Sequence, residues 1–137
     1  MSTSCVYFEN NEFWENDITI FLGLKLLIDS EQKKDTWLNK YFNTVIKGYI
    51  LKVQPVGSTS LRLEQYFKKF HKRKKFINYI KYVIEENKLN DSSIFDYNQI
   101  NEMLNLSNAN GINKNSYVEK KSILEFFNRL INILDAK

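Results

Sequence analysis

Apolar side chains recur at three- and four-residue intervals through most of this chain, which is the period of a buried helical face. A first helix is predicted to open at Asn16 or Asp17, either of which can cap it. It carries Ile18, Phe21, Leu22, Leu24 and Ile28 to about Ser30. A second follows Asp35, with Trp37, Leu38, Tyr41, Phe42, Val45, Ile46 and Tyr49 on one face. It should end before Pro55, because the residue preceding a proline is pushed out of the helical region. Val56-Gly57-Ser58 then reads as a turn. The longest helix is predicted from about Ser60 to Asn87, since Leu63, Tyr66, Phe67, Phe70, Ile77, Ile80 and Ile84 keep the spacing throughout. A break near Lys72 is compatible with the pattern. Two capping-box spacings follow, Ser93 to Asp96 and Ser116 to Glu119. The first opens a short helix through Tyr97, Ile100, Met103 and Leu104. The second opens a last helix striped by Ile123, Leu124, Phe127, Leu130, Ile131 and Leu134.

Between these two helices, residues 107–116 are rich in Asn and contain Gly111, as a surface loop requires. Cys5 to Phe8 and Ile50 to Val53 each have strand character, and the two segments could pair. With one proline, four isolated glycines, no internal repeat and no break in composition, residues 1–137 read as one domain. The predicted fold class is mainly α: a single-domain bundle of about five helices, with room for a short β-hairpin or strand pair near the N-terminus. Phe70, Ile77, Phe127 and Leu130 are expected in its core.

Composition sharpens this picture. An apolar fraction of 43% with 15% aromatics excludes intrinsic disorder. A lone Cys5 cannot form an internal disulfide, which points to a reducing compartment. The N-terminus has neither the basic nor the apolar region of a secretory signal. The longest apolar stretch, Ile18 to Ile28, is interrupted by Thr19, Gly23 and Lys25 and falls short of the roughly 20 residues a membrane span needs. A cytoplasmic protein without membrane contact is expected. Abundant Lys, Asn, Ile, Tyr and Phe, with three arginines and only Ala109 and Ala136 as alanines, look like the product of an AT-rich coding sequence.

Charge changes the picture most. Residues 62–81, RLEQYFKKFHKRKKFINYIK, hold eight Lys or Arg against the single acid Glu64. The whole chain has 20 basic and 16 acidic side chains, so the remainder has 12 against 15. A formal charge of +4 therefore describes a mildly acidic body carrying one cationic segment, which calls for an anionic partner. On a continuous helix, Lys68, Lys72, Lys75 and Tyr79 fall on one line with Tyr82 beside it, opposite the apolar positions. Lys69 and Arg73 complete the predicted contact surface. A lysine ladder with tyrosines suits the phosphates and bases of single-stranded nucleic acid, and equally the acidic surface of a protein. A second candidate surface is the N-terminal acidic-aromatic stretch, where Glu9, Glu12, Glu15 and Asp17 interleave with Tyr7, Phe8, Phe13 and Trp14. Aromatic anchors rimmed by charge are what protein interfaces use, and Glu12, Trp14 and Glu15 are its predicted contacts.

No chemistry of an enzyme is written in the motifs. His71, the one histidine, lies among cations with no nucleophile signature beside it. One His and one Cys do not make an ordinary zinc site, and the isolated glycines make no phosphate-cradling loop. No catalytic residue, metal or cofactor is assigned. In general kind, such a small, cysteine-poor chain is similar to the cytoplasmic immunity proteins that bacteria use against contact-delivered toxins. That resemblance implies a protein-binding inhibitor that neutralises a toxin domain by occluding its active site. The alternative is a nucleic-acid-binding or regulatory protein that uses the basic helix 62–82.

Overall fold

The computed structural model describes residues 3–30, 36–47, 57–58, 61–104 and 117–135. Of these, 67% are helical, in six helices, and the mainly α class is as expected. The chain opens with a hairpin of β1 (Thr3–Phe8) and β2 (Asn11–Asn16), antiparallel with Val6 opposite Phe13 and Cys5 opposite Trp14. The partner of the predicted N-terminal strand is thus the segment immediately after it; residues 50–53, the predicted partner, lie outside the described residues. Gly57–Ser58 is a short strand, β3, parallel to Ser4 and Cys5, rather than the predicted turn. Long-range pairing with β1 decides this, and no local signal announces it.

Helix α1 (Asp17–Asp29) starts where the sequence places it: the Asn16 side chain accepts a 2.9 Å hydrogen bond from the Ile18 amide. Helix α2 (Thr36–Tyr41) runs into one π turn, Phe42–Ile46, closed by the Lys47 amide on the Phe42 carbonyl. This segment buries Leu38, Tyr41, Phe42, Val45 and Ile46. Its predicted cap Asp35, its continuation to Tyr49 and its end before Pro55 lie outside the described residues.

The predicted Ser60–Asn87 helix is two helices, α3 (Leu63–Tyr66) and α4 (Phe70–Glu86), separated at Phe67–Lys69. Helix α4 closes with a Schellman arrangement: the Leu89 amide reaches the Ile84 carbonyl (3.1 Å) and the Lys88 amide the Glu85 carbonyl (3.2 Å). Lys88 takes the left-handed φ of 51° that this stop requires.

Both capping-box predictions are displaced. Ile94–Asp96 and Tyr117–Glu119 form an antiparallel pair, β4 and β5, with Phe95 opposite Val118. Helix α5 (Tyr97–Leu104) begins three residues later than the Ser93 box implies. The box that operates is Asp96 with Gln99, each side chain accepting from the other's amide at 2.9 Å. Helix α6 (Lys120–Asp135) follows β5 directly.

Helix α6 is the hub, packed against α1, α4, β1 and β2. Its Ile123, Phe126, Phe127, Leu130 and Leu134 are buried, together with Ile20, Leu24 and Leu27 of α1. Gly23 permits the close approach of α1: a Cβ there would lie 2.8 Å from the Phe126 ring. At the other end, Trp37, Tyr41, Phe42, Tyr66, Phe67 and Phe76 form an aromatic cluster, with the Phe67 and Phe76 rings stacked at 4.7 Å.

Candidate interaction surface

The break between α3 and α4 is held by an arginine that the sequence assigned to the exterior. Arg73 is 9% exposed, and its Nη1 donates to the carbonyls of Phe67 (3.0 Å) and Lys68 (2.6 Å). Those carbonyls have lost their helical partners where the chain turns, so the guanidinium replaces bonds the break removed. Its carbon lies 5.9 Å from the rings of both Phe8 and Phe70. Phe8 is fully buried, whereas Phe70 is 61% exposed. The first turn of α4 is therefore inverted relative to the predicted faces: its phenylalanine is outside and its arginine inside.

The inversion rearranges the predicted contact surface. Tyr79, placed on the outer line by the continuous-helix geometry, is 4% exposed and donates to the Leu27 carbonyl at 2.7 Å. Loss of hydration pushes its pKa up to about 12. Tyr82 is half-buried, its hydroxyl donating to Glu86 at 2.9 Å. Lys72 lies along the protein with its Nζ 4.0 Å from the centre of the Trp37 ring. Arg73, Tyr79 and Tyr82 are thus removed from the outer ladder. The reason in each case is a specific hydrogen-bond partner: backbone carbonyls for the first two, and the Glu86 carboxylate one turn along the same helix for Tyr82.

What remains outside is compact. Lys68, Lys69, His71, Lys74 and Lys75 are exposed around Phe70. Among the described residues, no ion pair engages Lys68, Lys69, His71 or Lys74. The lysines among them crowd the N-terminus of a 17-residue helix whose first turn has no acid and whose cap residue Lys69 makes no side-chain cap bond. Positive charge at a helix N-terminus opposes the macrodipole, so the arrangement favours an incoming anion over the isolated fold. Phe70 was missed as a surface residue because its spacing matches the core stripe; the signal against burial was the polar residue on each side of it in sequence, Lys69 and His71.

The hairpin carries the second predicted surface, and the structure divides it in two. Ser4, Val6 and Phe8 point into the protein with Phe13 half-buried opposite them. Tyr7 (44% exposed), Trp14 (53% exposed) and Glu12 occupy the outer face. Glu15 belongs to the inner side, where Arg129 pairs with it and with the Trp14 carbonyl, both at 3.4 Å. Cys5 lies on the outer face with its thiol directed to Glu12 at 3.6 Å, and its pKa is raised by burial and by that carboxylate. An open, largely polar cleft of about 360 Å³ lies beside the hairpin, lined by Glu15, Asn16, Thr19, Tyr117, Glu119 and Ser122 among others.

Among the described residues no group of three or more His, Cys, Asp or Glu side chains could hold a metal ion, and no helix is long and apolar enough to cross a membrane. No protein-family model, no curated protein and no solved structure matches this chain.

Proposed function

We propose that this protein is a protein-binding module whose docking surface is Phe70 with the surrounding Lys68, Lys69, His71 and Lys74. The observation that carries this is the pairing of a 61% exposed phenylalanine with cations that lack ion-pair partners among the described residues. An aromatic anchor that enters an apolar pocket, rimmed by charge that steers the approach, is the usual composition of an interface centre. The partner it suits has an acidic surface around an apolar recess. An inhibitor or immunity protein that covers a toxin's active site in the cytoplasm is the specific form of this reading, since steric occlusion requires only such a surface. The exposed aromatic content argues for protein over single-stranded nucleic acid. A base-stacking platform uses several aromatics in series, whereas Tyr79 is buried and Tyr82 half-buried.

The test combines Lys69→Glu and Lys74→Glu with Phe70→Ala. Nuclease-treated affinity capture from the source cells should recover a stoichiometric partner with the wild-type protein and lose it with the triple variant, while circular dichroism stays unchanged. Titrations with RNA and DNA oligonucleotides should show weak association. Tight oligonucleotide binding whose logarithm falls steeply and linearly with log salt would assign the surface to nucleic acid instead.

A further inference from the structure

We infer that the outer face of the hairpin docks on the cationic surface of a second copy of this chain, closing a two-fold dimer. The two surfaces are complementary in composition. The hairpin offers Tyr7 and Trp14, diagonal neighbours across the Cys5–Trp14 and Tyr7–Glu12 pairs, with the Glu12 carboxylate on the same face. Neighbours on one face of a strand pair are close enough to act as a single contact area. The other surface offers Phe70 and the exposed lysines, and Lys ammonium groups are attracted both to a carboxylate and to a tryptophan face.

Their positions permit closure. The hairpin turn is tied to α3, the Glu9 amide donating to Glu64 at 2.8 Å, and Arg73 lies between Phe8 at the end of β1 and Phe70. The turn end of the hairpin, where Tyr7 pairs with Glu12, therefore lies at the same end of the molecule as the cationic surface. Adjacent complementary patches can be exchanged across a two-fold axis, so that each copy gives its hairpin face and receives the partner's. Patches at opposite poles would instead propagate into open chains. Such a dimer covers Phe70 and its lysines, so it would compete with the docking function proposed above. The inference rests on that reading only for the choice of cationic surface.

Sedimentation velocity across low-micromolar to sub-millimolar protein should show a monomer–dimer equilibrium without larger species. Trp14→Ala, outside the cationic surface, should weaken dimerisation about tenfold or more, as loss of a central aromatic anchor does. Glu12→Lys alone and the Lys69→Glu/Lys74→Glu double variant alone should each be monomeric. An equimolar mixture of these two should form a heterodimer, because both contacts then pair opposite charges again. A wild-type protein that stays monomeric, a ladder of larger oligomers, or a mixture that fails to associate would each overturn the dimer. Because the dimer competes with docking, Trp14→Ala should still capture the partner; a wild-type protein that is monomeric and shows capture lost only in Lys69→Glu/Lys74→Glu would overturn the dimer and leave the docking function standing.

Discussion

Helices α4 and α6 are nearly equal in length, 17 and 16 residues, and pack against each other, yet they follow different rules. In α6 the hydrophobic period and the burial coincide: Ile123, Phe127, Leu130 and Leu134 recur at three and four residues and are all at most 1% exposed. In α4 the same agreement holds from Phe76 through Ile77, Ile80 and Val83, and fails in the first turn, where Phe70 faces out and Arg73 faces in. Leaving a phenylalanine outside forgoes about 1.5–3 kcal/mol of transfer free energy. Burying a guanidinium adds a desolvation cost that carbonyl partners only partly offset. Local choices that disfavour the isolated fold concentrate at functional surfaces. The contrast between one helix built for packing and one that departs from packing over its first turn is the physical basis for locating the docking surface at that turn.

The largest expected effect separates the two phenylalanines. Phe127→Ala should cost about 3–5 kcal/mol, since its ring is fully enclosed and the surrounding helices can close the cavity only in part. Phe70→Ala should change stability by no more than about 0.5 kcal/mol, the usual range of a surface substitution. Urea unfolding of both variants checks the pair. A Phe70→Ala loss approaching that of Phe127→Ala would place the ring in the core and remove the comparison.

Next in size is the guanidinium that holds the break. Arg73→Met keeps a long apolar stem but leaves the Phe67 and Lys68 carbonyls without their donor. Hydrogen bonds from a charged group contribute about 1.5–3 kcal/mol each, and unsatisfied buried carbonyls are disfavoured to a similar extent. A loss of about 2–3 kcal/mol is expected for Arg73→Met, against almost none for Lys74→Ala one residue away. If Arg73→Met were as stable as the parent protein, the break would be set by something other than these carbonyl bonds.

The same contrast explains what could be read from the sequence. The Asn16 cap, the α6 stripe and the end of α4 near Asn87 were legible because each is decided within a turn or two of chain. The misplaced features depend on partners beyond the reach of a simple helical period, some of them distant in the chain. Ser93 to Asp96 and Ser116 to Glu119 have capping spacing, but β4 and β5 satisfy each other's backbone across 20 or more residues, and the helix starts move to Tyr97 and Lys120. Of the lysines on the predicted outer line, Lys68 and Lys75 are exposed and Lys72 is half-buried over Trp37. Tyr79, predicted on the same line, is buried, because a rotation of face follows from the break at Phe67–Lys69, and the break follows from where Arg73 finds carbonyls. Of the N-terminal candidates, Glu12 and Trp14 are on the outer face, while Glu15 is drawn inward by Arg129 across more than a hundred residues of sequence.

A smaller loss than that of Arg73→Met is expected at Tyr79, the residue whose face the break reversed. Its hydroxyl donates to the Leu27 carbonyl and so links α4 to α1. Tyr79→Phe keeps the ring in the core and removes the hydroxyl's bonding, including that to the Leu27 carbonyl, a loss of about 1 kcal/mol at neutral pH. The pH dependence carries the sharper test. Burial raises the folded-state pKa of Tyr79 to about 12, above the ordinary tyrosine value near 10. The neutral hydroxyl is thus favoured by folding, and its contribution is complete below pH ~10 and is lost as the pH climbs from ~10 towards 12. Tyr41, fully buried with its hydroxyl donating to the Leu61 carbonyl, is shifted in the same direction by burial and adds to this alkaline loss. Stability measured by urea unfolding should therefore fall above pH ~10, and the fall should be shallower in Tyr79→Phe than in the parent. An identical alkaline slope in the two proteins would mean that Tyr79 titrates as a solvated phenol, with its hydroxyl on the outer face that the uninterrupted helix predicts.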